Sequence, residues 1–182
     1  MLHDTFPDVL AAARAGAGWA ATRLYEDLAG TVRGYLRLQG AAEPDDLTSE
    51  VFVGVLRGLG RFDGDEAAFR SWVFTIAHRR LTDERRRAGR RPVLTPLTRA
   101  ESVRGGDVEA EALAALTDPA LRQAVGQLTP EQRDVVLLRV VADLSLEETA
   151  AVVGRGVNAV KQLQRRGLLA LRRALPDREV AP

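Results

Sequence analysis

Leu144-Ser-Leu-Glu-Glu-Thr-Ala-Ala-Val-Val-Gly-Arg-Gly-Val-Asn-Ala-Val-Lys-Gln-Leu-Gln-Arg-Arg-Gly-Leu-Leu-Ala-Leu-Arg-Arg173 reads as two helices joined by a tight turn. Ser145 can cap the first helix, and Glu148 three residues later completes a capping box. Ala150, Gly154 and Val160 fall where a small residue, a turn and an apolar anchor let two helices cross closely. A helix-turn-helix of this kind sets its second helix into a DNA major groove. That second helix is rich in base and free of acid: residues 155 to 173 hold six basic side chains and no carboxylate.

Working outward, Asn158 is expected to cap the recognition helix, with Ala159, Lys161, Gln162, Arg165 and Arg166 on its exposed turns. Early residues of such a helix reach base edges, and Arg or Lys further along meets phosphate. Gln suits adenine, and Arg or Lys suits guanine. Val160, Leu163, Leu168 and Leu171 are expected to face the core. The competing reading is an ordinary amphipathic hairpin, which the acid-free second helix disfavours.

The remaining periodicity is helical throughout. Leu24, Leu28, Val32, Tyr35 and Leu36 mark a helix over about 20–39, ended by Gly40. Pro44 opens a second, carrying Leu47, Val51, Val55 and Leu59 at intervals of four. Phe69, Trp72, Val73 and Ile76 mark a third that continues through Arg87, with a further short helix near 7–15. From Gly89 to Asp107, Pro92, Pro96, Gly105 and Gly106 break every pattern, so this stretch reads as a flexible linker. Helices resume at about 108–116, after Asp118-Pro119, and after the capping-box sequence Thr129-Pro130-Glu131-Gln132. No strand alternation occurs. The expected fold is all-α, two small helical domains over 1–88 and 108–177 with a linker over 89–107.

The chain has 182 residues, and its formal charge of +1 conceals strong segregation. Residues 43 to 66 hold seven acids against Arg57 and Arg61; residues 70 to 91 hold eight Arg against Asp83 and Glu84. Alternating acidic and basic faces point to at least two different partners, solvated helix surface being the plainer alternative. Asp45 and Asp46 sit in a first helical turn, where the helix dipole favours them. Asp46 and Glu50, four apart, repel mildly unless a basic partner relieves them. In the stretch 69–87, aromatic rings beside arginines match the needs of unstacked single-stranded bases. Trp72 and Phe74 cannot share a face, so at least one belongs to the core.

Several classes of function find no support. There is no cysteine, which excludes disulfides and thiolate metal sites and fits a cytosolic location. No apolar run approaches a membrane span, and no signal-peptide pattern opens the chain. His3 and His78 form no ligand spacing, and no nucleophile triad or phosphate-binding loop is present. Neither an enzyme, a metal nor a cofactor is expected.

The combination resembles the sigma-70 family, specifically the extracytoplasmic-function sigma factors of bacterial RNA polymerase. Asp45-Asp46-Leu47-Thr48-Ser49-Glu50-Val51-Phe52-Val53 is similar to the family's region 2.2. The resemblance implies that Asp45, Asp46, Leu47, Glu50, Val51 and Phe52 dock on the clamp helices of the polymerase β′ subunit. Phe69-Arg-Ser-Trp-Val-Phe-Thr-Ile-Ala77, with Asp83 and Arg86, looks like regions 2.3 and 2.4. Phe69, Trp72, Arg79, Arg80, Asp83 and Arg86 are thereby implied in opening and reading the −10 element. Thr129 onward looks like region 4, whose recognition helix, with Asn158, Ala159, Lys161, Gln162, Arg165 and Arg166, reads the −35 element and touches the β flap. The match covers most of the chain and lacks region 3. Two departures are His78-Arg79 where Arg-Asn is common, bearing on −10 preference, and Ser49 where Gln is frequent, bearing on polymerase affinity.

What the resemblance implies is a specificity subunit for core RNA polymerase and promoter DNA, cytoplasmic, nucleoid-associated when bound to polymerase, and held by an anti-sigma factor. The rival is a stand-alone helix-turn-helix regulator that binds DNA tightly without polymerase. A helical metal enzyme is the third possibility.

Overall fold

The computed structural model describes residues 2–88 and 118–175. The linker expected over 89–107 and the helix expected over 108–116 lie outside these residues. Eight α-helices occur among them: α1 (Phe6–Arg14), α2 (Gly18–Leu38), α3 (Pro44–Gly58), α4 (Glu66–Ala88), α5 (Pro119–Gly126), α6 (Pro130–Val140), α7 (Leu146–Val153) and α8 (Val157–Ala174). No strand is present among the described residues, so the all-α expectation holds.

Helix ends follow local chemistry. Gly40 adopts φ +81°, and the Gly40 and Ala41 amides donate to the Arg37 and Leu36 carbonyls, closing α2. Pro44 stands in the first turn of α3, where its missing N–H costs nothing. Asp118 Oδ1 accepts from the Ala120 amide at the start of α5. Thr129–Gln132 and Ser145–Glu148 both form complete capping boxes on α6 and α7. Arg133 finishes α5 from outside, donating to the Val125, Gly126 and Leu128 carbonyls. These orphan carbonyls at a helix end would otherwise face solvent or remain unpaired.

Helices α1 to α4 pack as one bundle, α2 against α1, α3 and α4. Its centre is Leu24, Leu28, Val32, Tyr35, Val51, Val55, Val73, Phe74 and Leu81, all buried. Each such aliphatic or aromatic side chain removed from water contributes about 1.5–3 kcal/mol. Phe6, Phe62, Phe69 and Trp72 form a ring cluster at one end, with Phe62 and Trp72 stacked at a centroid distance of 5.0 Å.

Helices α5 to α8 form the second unit. α7 and α8 cross around Val135, Ala150 and Val160, and Gly154 makes the turn at φ +65°. The small residue, turn and anchor legible in the sequence therefore meet as expected. The two units also touch: α4 packs on α7, and α2 on α5 and α6. One apolar cluster runs from the first bundle into Val125, Leu137, Leu138, Ala142 and Leu144.

Candidate functional site

The acidic helix α3 presents two unlike faces. Leu47, Val51, Phe52 and Val55 point inward, while Asp45, Asp46, Ser49, Glu50, Val53 and Leu56 are exposed. Three of the residues expected to dock on polymerase, Leu47, Val51 and Phe52, are therefore core. They hold the helix, Phe52 meeting Tyr25 edge-on at 4.8 Å. Asp45 pairs with Arg33 of α2 at 3.3 Å, a surface contact worth little in water. Sequence reasoning missed Val53 and Leu56, 46% and 48% exposed. Exposed aliphatics beside Asp46 and Glu50 were legible as the helix positions opposite the apolar stripe.

On α4, Phe69 does not stand where an unstacked base can reach it. It is 2% exposed, enclosed by Phe6, Phe62 and Trp72. Phe74 is fully buried as well, its ring edge-on to Tyr35. Trp72 is half-buried and lies directly over Gly58, where an added Cβ would meet its ring at 2.7 Å. Of the pair Trp72 and Phe74, only Trp72 retains access. Arg79, Asp83 and Arg86 are exposed and Arg80 is half-buried, with Asp83 and Arg86 3.9 Å apart on one turn. His78 turns inward: its Nδ1 stands 3.1 Å from Tyr35 Oη. Burial, first, holds the imidazole below its ordinary pKa; the Asp134 carboxylate opposes this and the Arg85 guanidinium adds to it. Burial, and then the Asp134 charge, likewise pushes the Tyr35 hydroxyl well above its ordinary value. Both groups are neutral around pH 7.

On α8, the helix starts at Val157 and Gly156 occupies the N-cap without a side-chain bond. Asn158 is thus inside the helix rather than capping it, which leaves its amide exposed at the amino-terminal turn. Ala159, Lys161, Gln162, Arg165 and Arg166 are exposed on successive turns, as the helical period requires. Val160, Leu163 and Leu171 turn inward, but Leu168 does not: it is 41% exposed. Gly167 takes the inward position, pressed against Val136 and Gln132 of α6. The α8 surface lined by Lys161, Gln164, Arg165, Leu168, Leu169 and Arg172 is consequently both cationic and apolar. Arg155, just before α8, is engaged with Glu131 at 3.8 Å.

Between the units lies a polar cluster that sequence reasoning did not anticipate. Gln39 Nε2 donates to Asp134 Oδ1 at 2.9 Å, and Arg85 donates to both the Gln39 carbonyl and Gln39 Oε1 at 2.7 Å. Arg85 also stands 3.6 Å from Asp134. No spacing rule links positions 39, 85 and 134, so only the fold brings them together.

Among the described residues no group of His, Asp and Glu is arranged to hold a metal ion. No helix among them is long and apolar enough to cross a membrane.

Comparison with known proteins places both units. Residues 21–91 match the family model for sigma-70 region 2, and residues 119–171 match that for sigma-70 region 4. The chain is 37% identical over 171 residues to the ECF RNA polymerase sigma factor BldN of Streptomyces coelicolor, covering 91% of this chain and 64% of that protein. It is 33% identical over 142 residues to the ECF RNA polymerase sigma factor ShbA of Streptomyces griseus, covering 75% and 74%. The chain therefore spans slightly under two thirds of the first relative's length. In fold it is similar to the sigma factor RpoE of Bartonella quintana, solved with the anti-sigma factor NepR, at TM-score 0.68 and 17% identity over 84% of this chain and 94% of that one. CnrH, solved with the cytosolic domain of CnrY, gives TM-score 0.64 and 23% identity over 92% and 95%. With both region models matched in chain order on the helices described above, the protein belongs to the sigma-70 family, among the extracytoplasmic-function RNA polymerase sigma factors.

Proposed function

We propose that this chain is the promoter-specificity subunit of a bacterial RNA polymerase. The observation that carries the reading is the order of three surfaces in one sigma-family chain. An acidic face on α3 is followed by an arginine-bearing α4 and an acid-free recognition helix α8. Asp46, Glu50, Val53 and Leu56 form the docking face for the β′ clamp helices, with Asp45 at its rim and Leu47, Val51 and Phe52 holding it in place. Trp72, Arg79, Arg80, Asp83 and Arg86 engage the melted −10 element, and Phe69 braces Trp72 from behind. Asn158, Ala159, Lys161, Gln162, Arg165 and Arg166 engage the −35 element, and the second unit also meets the β flap.

The division of labour follows from the chemistry available. Polymerase performs the phosphoryl transfer, and this subunit supplies position and sequence choice. It works in the cytoplasm, where it joins the nucleoid with polymerase. Residues 1–88 and 108–177 act as two grips, with 89–107 between them. Because sigma factors of this fold are known in complex with anti-sigma proteins, an anti-sigma factor is the proposed regulator.

In vitro transcription with core polymerase and start-site mapping tests the reading. The expected result is initiation at discrete sites that requires both the chain and core enzyme. Tight, specific operator binding by the free chain, with no stimulation of core enzyme, would sink it.

A further inference from the structure

Trp72 is held in place from three sides. Phe62 stacks on its indole at a centroid distance of 5.0 Å with the planes 20° apart, and Phe69 meets it tilted at 5.9 Å. On the third side runs α3, where Gly58 leaves the ring its room. A Cβ there would stand 2.7 Å from Trp72 Cζ2 and 3.2 Å from Cη2, on the outer edge of the six-membered ring. Gly58 adopts φ −90° and ψ −11°, which alanine can also adopt. What glycine supplies at this position is therefore space for the indole and not backbone freedom.

The turn between α3 and α4, which carries Phe62, is tied at both ends to the amino-terminal segment. Arg14, in the last turn of α1, donates from Nη2 to the Phe62 carbonyl and from Nε to the Leu59 carbonyl at 3.4 Å. Beyond the turn, Glu66 at the start of α4 accepts from the Leu2 amide at 2.6 Å and the His3 amide at 2.9 Å. Phe6 of α1 packs on Phe69 at 5.5 Å, so the same segment also backs the ring cluster. Residues 2–14 precede the stretch 21–91 that matches sigma-70 region 2, and none of the promoter contacts above falls on them.

We propose that Gly58 and Arg14 are positioning residues for the melted −10 strand, fixing Phe62 and Trp72 as one stacked platform before DNA arrives; this rests on the promoter reading above. A base stacks well on a ring only when the plane and depth of that ring are set. A ring seated in advance also loses no further rotamer freedom on binding, whereas a mobile one must be ordered by the DNA itself. Gly58 fixes the depth of the indole against α3. Arg14 fixes Phe62, and through it the tilt of the plane. Neither residue contacts DNA, and both act on promoter opening while leaving the −35 grip alone.

The chain has two tryptophans, and Trp19→Phe replaces the exposed one on α2, leaving Trp72 as the sole reporter. In the full-length chain with that background, Gly58→Ala is expected to red-shift Trp72 emission and raise its quenching by iodide. Arg14→Ala should do the same more weakly. Arg14→Lys, which can still donate to one carbonyl, should recover part of the change. With core polymerase on a promoter located by start-site mapping, Gly58→Ala should slow the appearance of permanganate-reactive −10 thymines by about fivefold or more, the lower end of what one lost base–aromatic stack costs. Holoenzyme affinity for duplex −35 DNA should stay at the wild-type value. In a Trp72→Phe chain, which lacks the outer ring atoms, Gly58→Ala should slow opening no further. If Gly58→Ala does not fold by circular dichroism, the two Arg14 variants carry the test, since Arg14 is exposed and its loss should leave the melting temperature close to that of the wild type. A lower melting temperature with unchanged emission and opening marks a purely structural role and overturns the proposal, as does shifted emission with opening at the wild-type rate. A wild-type chain that directs no initiation with core enzyme overturns the promoter reading instead, and the emission readout still decides whether Gly58 and Arg14 seat Trp72.

Discussion

Gly167 and Val136 approach so closely that a Cβ on Gly167 would stand 2.6 Å from Val136 Cγ2 and 3.5 Å from Gln132 Cβ. This contact sets the depth at which α8 lies on α6, and hence how far Lys161, Gln162 and Arg165 project. Gly167→Ala gains up to about 1 kcal/mol of helix propensity. It also forces a stiff, β-branched neighbour aside, at about 1–3 kcal/mol. The clash wins. Urea unfolding should show a net loss of about 1 kcal/mol, together with weaker −35 binding in holoenzyme.

Phe69 and Arg79 share α4 but should fail differently. Phe69→Ala opens a cavity in the ring cluster and should cost about 3–5 kcal/mol, read as a lower melting temperature. Arg79→Ala, exposed, should leave stability within about 0.5 kcal/mol. Its defect should appear in promoter opening, measured by permanganate reactivity of −10 thymines. An equal stability loss for both variants would contradict this assignment.

Val53→Asp and Leu56→Asp change only exposed positions on α3. Their melting curves should match the wild type. Binding to core polymerase, followed by fluorescence anisotropy, should weaken by about tenfold or more, because each places a charge in an apolar contact. Wild-type affinity in both variants would remove this face from the docking surface.

His78 is held below its ordinary pKa in the folded chain, with burial the leading cause. The unfolded chain therefore binds the proton more readily, so stability is full above about pH 6.5 and declines as pH falls toward the folded value. His78→Gln should flatten that decline between pH 7.5 and 5.5 in denaturant titrations. A slope identical to the wild type would assign the pH dependence to other groups.

Lys161, exposed on the second turn of α8, is the only lysine in the chain. If it meets phosphate, Lys161→Ala should reduce the slope of log affinity against log salt by about 0.9 for duplex −35 DNA. A loss of base preference with an unchanged salt slope would instead place it on a base edge.

Much of this is legible in the sequence. The capping boxes at Thr129 and Ser145, the Gly154 turn and the Val160 anchor are short-range features, set by residues a few positions apart. The helical period likewise separated Val51 from Glu50 and Val160 from Lys161. It could not tell that Phe69 is enclosed while Trp72 keeps access, because both lie on the inner side of α4 and only neighbouring rings decide between them. Leu168 is exposed rather than inward for a related reason: leucine is the more apolar choice, but α6 comes too close for anything larger than glycine. Asn158 lies inside the helix rather than at its cap because Gly156 fills that position without a side chain.

By itself, then, the amino-acid sequence determined the helices, their caps, the helix-turn-helix and the segregation of acid from base. These depend on backbone propensity and on spacing within one element. Only the tertiary structure decided which aromatics are available, which glycine sets the depth of the recognition helix, and that Gln39, Arg85 and Asp134 meet. Those outcomes depend on distances between residues far apart in the chain, which no periodicity encodes and packing alone selects.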